Sequence, residues 1–66
     1  MKIIFRIKEE RNKQGNTLKI LSKKTGISIT HLNDIENHIK MPSFIMVVLI
    51  ADALKIEIKE LYTVKW

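Results

Sequence analysis

The chain has 66 residues, with 12 Lys or Arg against 7 Asp or Glu and no cysteine. That length holds one small domain and excludes a two-domain enzyme; the missing cysteines exclude disulfides, zinc ribbons and thiol chemistry. A formal charge of +5 on a chain that is 45% apolar describes a folded basic domain, and points to a polyanionic partner, nucleic acid first.

The punctuation is sparse: Gly15, Gly26 and Pro42. They cut the chain into segments of helical length, with no linker or repeat between them. Lys2-Ile3-Ile4-Phe5 opens the chain with β-formers. Arg6–Gln14 predicts a first helix, with Ile7 and Arg11 four apart on one face and Gly15 as its terminator. Thr17 is a candidate N-cap for Leu18–Thr25, which Gly26 ends. Ser28 is a candidate cap for Ile29–Asn37, where Leu32 and Ile35 face one way. Ser43, after Pro42, caps Phe44–Leu54. A last turn at Ile58–Leu61 returns Leu61 to the core. Tyr62-Thr63-Val64-Lys65-Trp66 then reads as a second β-rich tail. The two tails either pair as a short sheet or fray.

The longest uncharged apolar run, Phe44–Ala51, is eight residues and too short to cross a bilayer. The expectation is a soluble, cytoplasmic protein with no membrane partner. A core this small gains stability from a partner subunit, since no disulfide or metal assists it.

Thr17–Glu36 (TLKILSKKTGISITHLNDIE) is the most specific stretch. A short helix, a Gly turn and a second helix place Leu21, Ile27, Leu32 and Ile35 inward, with the small Ser22 where the helices approach. That is helix-turn-helix geometry, whose second helix can lie in a DNA major groove.

With their flanks, these residues resemble the lambda-repressor-like (Xre-type) helix-turn-helix family. The matching pieces are Arg6-Ile7-Lys8 with Arg11, Gly15, Thr17, Leu21, Gly26-Ile27-Ser28, Leu32, Ile35-Glu36-Asn37, Pro42-Ser43, Ile50-Ala51, Ala53-Leu54 and Leu61. The resemblance implies an all-α bundle of five helices, here with a β-pair from the termini as an addition. It implies a regulator that binds double-stranded operator DNA as a symmetric homodimer. It also implies an internal ion pair between Arg11 and Glu36.

Carried over by position, the base-reading residues are Ser28, Ile29, Thr30, Asn33 and Asp34. Hydroxyls reach base edges or phosphate, Ile29 meets a thymine methyl, Asn33 pairs with adenine and Asp34 accepts from cytosine. Phosphate contacts fall to Thr17 and Leu18 through backbone N–H groups, and to Lys24, Asn37, Lys40 and Ser43. The chain departs from the pattern in three places. Leu18 stands where many members carry Gln. Ile29 and Asp34 stand where Arg, Lys or Gln are common. His38 replaces a Gly at a position that favours positive φ.

The charge is unevenly spread. Residues 1–24 hold eight Lys or Arg against two Glu, while residues 25–39 hold only Asp34 and Glu36. The predicted reading helix therefore exposes Asp34 with no basic residue beside it. Nonspecific affinity falls to Lys13, Lys19, Lys23, Lys24 and Lys40 on the flanks.

Other chemistry finds little support. His31, Asp34 and His38 share a helical face but have no fourth ligand, so no metal is expected. No nucleophile is positioned and no Gly-rich phosphate loop exists, so neither an enzyme nor a cofactor is expected. The fourth helix carries an inward stripe of Phe44, Val47, Ile50, Ala51 and Leu54. Ile45, Met46 and Leu49 lie off it and predict an interaction surface, either a dimer seam or a protein-partner site. Ile56, Ile58, Tyr62, Val64 and Trp66 are rival dimer residues. The competing function is a protein-binding or antitoxin-like module that works through this apolar surface, with weak DNA readout.

Overall fold

Arg6 leaves the first strand and starts a helix with no side-chain cap, whereas the next three helices each begin at a hydroxyl. The computed structural model describes residues 1–66. The order is β1 (Lys2–Phe5), α1 (Ile7–Lys13), α2 (Leu18–Thr25), α3 (Ile29–Glu36), α4 (Phe44–Leu54), a 3-10 turn (Ile58–Glu60) and β2 (Tyr62–Lys65). Thr17, Ser28 and Ser43 sit in extended backbone. Their oxygens accept from the amides of Ile20, His31 and Met46 at 3.1–3.2 Å. Each such cap contributes about 1 kcal/mol.

Five helices were expected and four α-helices form. The fifth position is a single 3-10 turn, with the Glu60 amide bonded to the Glu57 carbonyl and Leu61 to Ile58. Glu57 and Glu60 form a capping box that closes the turn on itself. Arg6 N–H then donates to the Leu61 carbonyl at 2.6 Å, which draws the chain straight into β2. The two tails pair antiparallel, with Lys2 opposite Lys65 and Phe5 opposite Tyr62. Phe5 and Tyr62 meet edge to face, with centroids 6.3 Å apart.

One core joins all the helices. Ile7, Leu21, Leu32, Ile35, Ile50, Leu54 and Leu61 are fully buried, and Ile27, Val47 and Ala51 complete the cluster. Phe44 departs from the predicted stripe: it is 75% exposed. As the first residue of α4 its side chain tilts past the helix end, where no packed layer remains to receive it. Met46 corrects the reading in the other direction, being half-buried against the core.

Two non-glycine residues have positive φ, His38 at 60° and Lys55 at 56°. Both follow helix ends, and Lys55 is the left-handed cap of α4. His38→Gly should raise stability by about 1 kcal/mol, because the left-handed region costs a side chain that much and glycine little. In a chain of this size that is a rise in Tm of about 4–8 °C by calorimetry. An unchanged or lower Tm would show that the His38 side chain contributes contacts that outweigh the strain.

Candidate nucleic-acid interface

The turn between α2 and α3 is fixed by three side-chain bonds. Ser22 Oγ donates to the Ile27 carbonyl at 2.6 Å. Thr25 Oγ1 donates to Leu21 C=O at 2.8 Å and accepts from Ile27 N–H at 3.2 Å. Gly26 supplies the left-handed residue, with φ 78°. Thr25 is the one buried polar residue of the chain, and sequence reading missed it. Its signal was present, since a hydroxyl just before a helix-ending glycine can bond back to the preceding turn.

Arg11 fastens this unit from outside. Its Nε donates to Glu36 Oε2 at 2.8 Å and its Nη2 to Oε1 at 3.0 Å, a bidentate pair whose side chains are only 11% and 3% exposed. Arg11 Nη1 also donates to Asn16 C=O at 2.8 Å. One guanidinium therefore holds the end of α3 and the residue just before the α2 cap. The Glu36 bond, more than the opposing desolvation, raises the Arg11 pKa above its ordinary value. Gln14 adds a second tie, with Nε2 donating to Leu54 C=O at 2.6 Å.

Ser28, Ile29, Thr30 and Asn33 are exposed along α3. The Ser28 oxygen accepts the cap bond, which leaves its O–H free to donate. Asp34 is placed differently from its neighbours. The chain turns back at His38, and the Ile39 and Lys40 amides donate to the Asp34 carbonyl at 2.8 and 3.3 Å. That turn brings Lys40 Nζ to 3.8 Å from Asp34 Oδ2 and leaves the Asp34 side chain 22% exposed. The expectation of an acid with no basic neighbour is therefore corrected. Asp34 has a cation beside it and is partly covered.

Among the phosphate candidates, Thr17, Lys24, Asn37, Lys40 and Ser43 are exposed, while the Leu18 side chain is half-buried against the core. The first amides of α2 have no intrahelical acceptor and carry the positive end of the helix dipole. Lys13 is engaged by Glu10 at 3.1 Å, whereas Lys19, Lys23 and Lys24 make no ion pair. Of the interface candidates, Ile45, Leu49 and Trp66 are exposed, and Tyr62 and Val64 are half-buried in the sheet.

This is an exposed polar helix on a clamped two-helix unit, with unpaired lysines beside it. Among solved structures, the chain resembles the restriction-modification controller protein C.AhdI from Aeromonas hydrophila. The TM-score is 0.81 at 25% identity, covering 83% of each chain. It also resembles the N-terminal DNA binding domain of SinR from Bacillus subtilis, with TM-score 0.76 at 27% identity, over 82% of this chain and 80% of that one. No curated protein sequence matches it. The helix-turn-helix family model matches residues 7–61, and the chain belongs to the Xre, or lambda-repressor-like, helix-turn-helix family.

Proposed function

We propose that the chain is a sequence-specific regulator of transcription that binds double-stranded operator DNA as a homodimer and represses. It would work in the cytoplasm, needs no cofactor and performs no catalysis. The observation that carries the reading is the exposed row Ser28, Ile29, Thr30 and Asn33 on a helix held at both ends, by the α2–α3 turn and by Arg11. Both structural relatives are regulators or DNA-binding domains by name, which supports it. In this reading α3 enters the major groove, and the α2 N-terminus with Lys24 and Lys40 grips the backbone.

Selection of bound sites from a random duplex pool tests it. The expected result is a two-fold symmetric site, because two copies of α3 read two half-sites. Affinity for that site should fall with salt at a log–log slope of about −4 to −8, as four to eight phosphate contacts require. A pool that yields no enriched sequence, or a flat salt response, would overturn it.

The second reading, a protein-binding or antitoxin-like module, rests on α4. Phe44, Ile45, Val48 and Leu49 are exposed, with Ile39 and Met41 in the loop before them. In the dimeric reading this surface is the self-complementary seam. Ile45→Glu separates the two. It should convert a dimer to a monomer in sedimentation while the far-UV spectrum is unchanged, because Ile45 is exposed and holds no core position. A native chain that is already monomeric, or an unaffected dimer, removes the seam from α4.

A further inference from the structure

β1 is paired on one side only. The Arg6 amide bonded to the Leu61 carbonyl sets the phase of the ladder. Pairs alternate from there. Lys2 and Ile4 turn their backbone N–H and C=O toward β2, while Ile3 and Phe5 turn theirs outward. The outward edge opens on a cavity of about 560 Å³. All four β1 residues form one wall, and Ile35 with the His38–Met41 turn forms the other.

The charge of this slot has one sign. Lys2 and Lys40 are its charged residues, His38 also lines it and no acid does; Lys2 has no carboxylate partner, and the Lys40 ammonium is shared with Asp34 at 3.8 Å outside the lining. Lys65 lies directly opposite Lys2 in the sheet, a like-charge pair that a neighbouring carboxylate would relieve. The remaining lining is Ile3, Ile4, Phe5, Ile35, Ile39 and Met41.

We propose that the free edge of β1 takes up an extended segment of a partner protein in which carboxylate and aliphatic side chains alternate. Four residues of such a segment span about 13 Å, the length of the strand. Its backbone would bond the outward groups of Ile3 and Phe5. Its aliphatic set would meet the apolar wall, and its carboxylates would meet Lys2 and Lys40. A DNA backbone matches the lysines but leaves the apolar wall uncovered. A second copy of this chain would bring the same two lysines into the same slot.

The probe is a blocked seven-residue peptide of alternating Glu and Val, titrated into the nitrogen-15-labelled full chain. Binding should shift the Ile3 and Phe5 amides and slow their hydrogen exchange. A peptide with Lys in place of Glu, or one N-methylated at alternate residues to remove the donors, should bind at least about tenfold more weakly. Lys2→Glu should weaken the Glu peptide to a similar extent, and the exposed position of Lys2 keeps the fold intact. No response of the β1 amides at saturating peptide overturns the proposal, as does equal binding of the Glu and Lys peptides. So does protection of those amides by a DNA duplex, or by raised protein concentration without peptide; these results assign the edge to nucleic acid or to a second copy. The peptide outcomes do not depend on whether α3 reads DNA, because the titration is run without duplex.

Discussion

Glu36→Ala is expected to cost roughly 3–5 kcal/mol of folding stability, because it strands the Arg11 guanidinium without its partner. Arg11 is nearly enclosed and gives two of its donors to Glu36. A chain of 66 residues has a total stability of roughly 3–10 kcal/mol, so this one substitution removes about a third of it or more. Thermal unfolding should move down by at least about 12 °C, and urea titration should show a largely unfolded population at the low end. Arg11→Met combined with Glu36→Leu should recover much of the loss, since replacing both partners leaves no buried charge. A double-mutant cycle with no coupling would overturn the account. The Arg11 pKa is raised in the folded state, principally by Glu36. Its contribution is therefore complete below the unfolded value and disappears only as pH rises through the higher folded one. Both lie far above neutrality, so Arg11 itself gives the pair no pH dependence in the neutral range. The same substitution releases the end of α3. Arg11 also holds Asn16 C=O, so removing Arg11 loosens the approach to the α2 cap as well.

The caps were the most legible part of the fold. Thr17, Ser28 and Ser43 each precede an apolar-periodic run, and a hydroxyl there has one favourable use. The buried stripes of α2 and α3 were legible for the same reason, since Leu21, Leu32 and Ile35 keep helical spacing. Spacing failed at Phe44, which is in phase with Val47 but beyond the packed layer. Periodicity reports a face and says nothing of where the neighbouring element ends. The fifth helix was implied by the family resemblance and not by spacing: the residues themselves read as a last turn at Ile58–Leu61, and a single 3-10 turn forms there before Arg6 captures Leu61 C=O.

At the site, the exposed face of α3 with Ser28, Ile29, Thr30 and Asn33 was legible, but the charge environment of Asp34 was not. The positive φ at His38 was foreseeable from the family pattern. Its consequence was not, because the turn it makes carries Lys40 back over Asp34. A linear charge count assigns Lys40 to the following segment and leaves Asp34 alone. Folded, residues 34–40 are one local unit with the two charges 3.8 Å apart. Under the proposed function, base reading would then fall chiefly to Ser28, Ile29, Thr30 and Asn33, with Asp34 22% exposed and its charge 3.8 Å from that of Lys40.

That concentration makes Thr30→Ala with Asn33→Ala the sharpest functional experiment. Both side chains are exposed, so folding stability should change by no more than about 0.5 kcal/mol. A well-placed base contact is worth about 1–3 kcal/mol, so losing two should reduce preference for the selected site by about one and a half to four orders of magnitude. Affinity for random duplex should be nearly unchanged. The salt slope should also hold, because neither side chain carries a charge that releases counterions from the phosphates. Lys24→Ala makes the opposite prediction: it should weaken both duplexes alike and shrink the slope by about 1. Competition binding at several salt concentrations reads all of these quantities at once. If the double variant keeps its site preference, α3 does not read bases through these positions. If it loses specific and random binding together, the pair grips the backbone instead, and specificity lies in the deformability of the DNA.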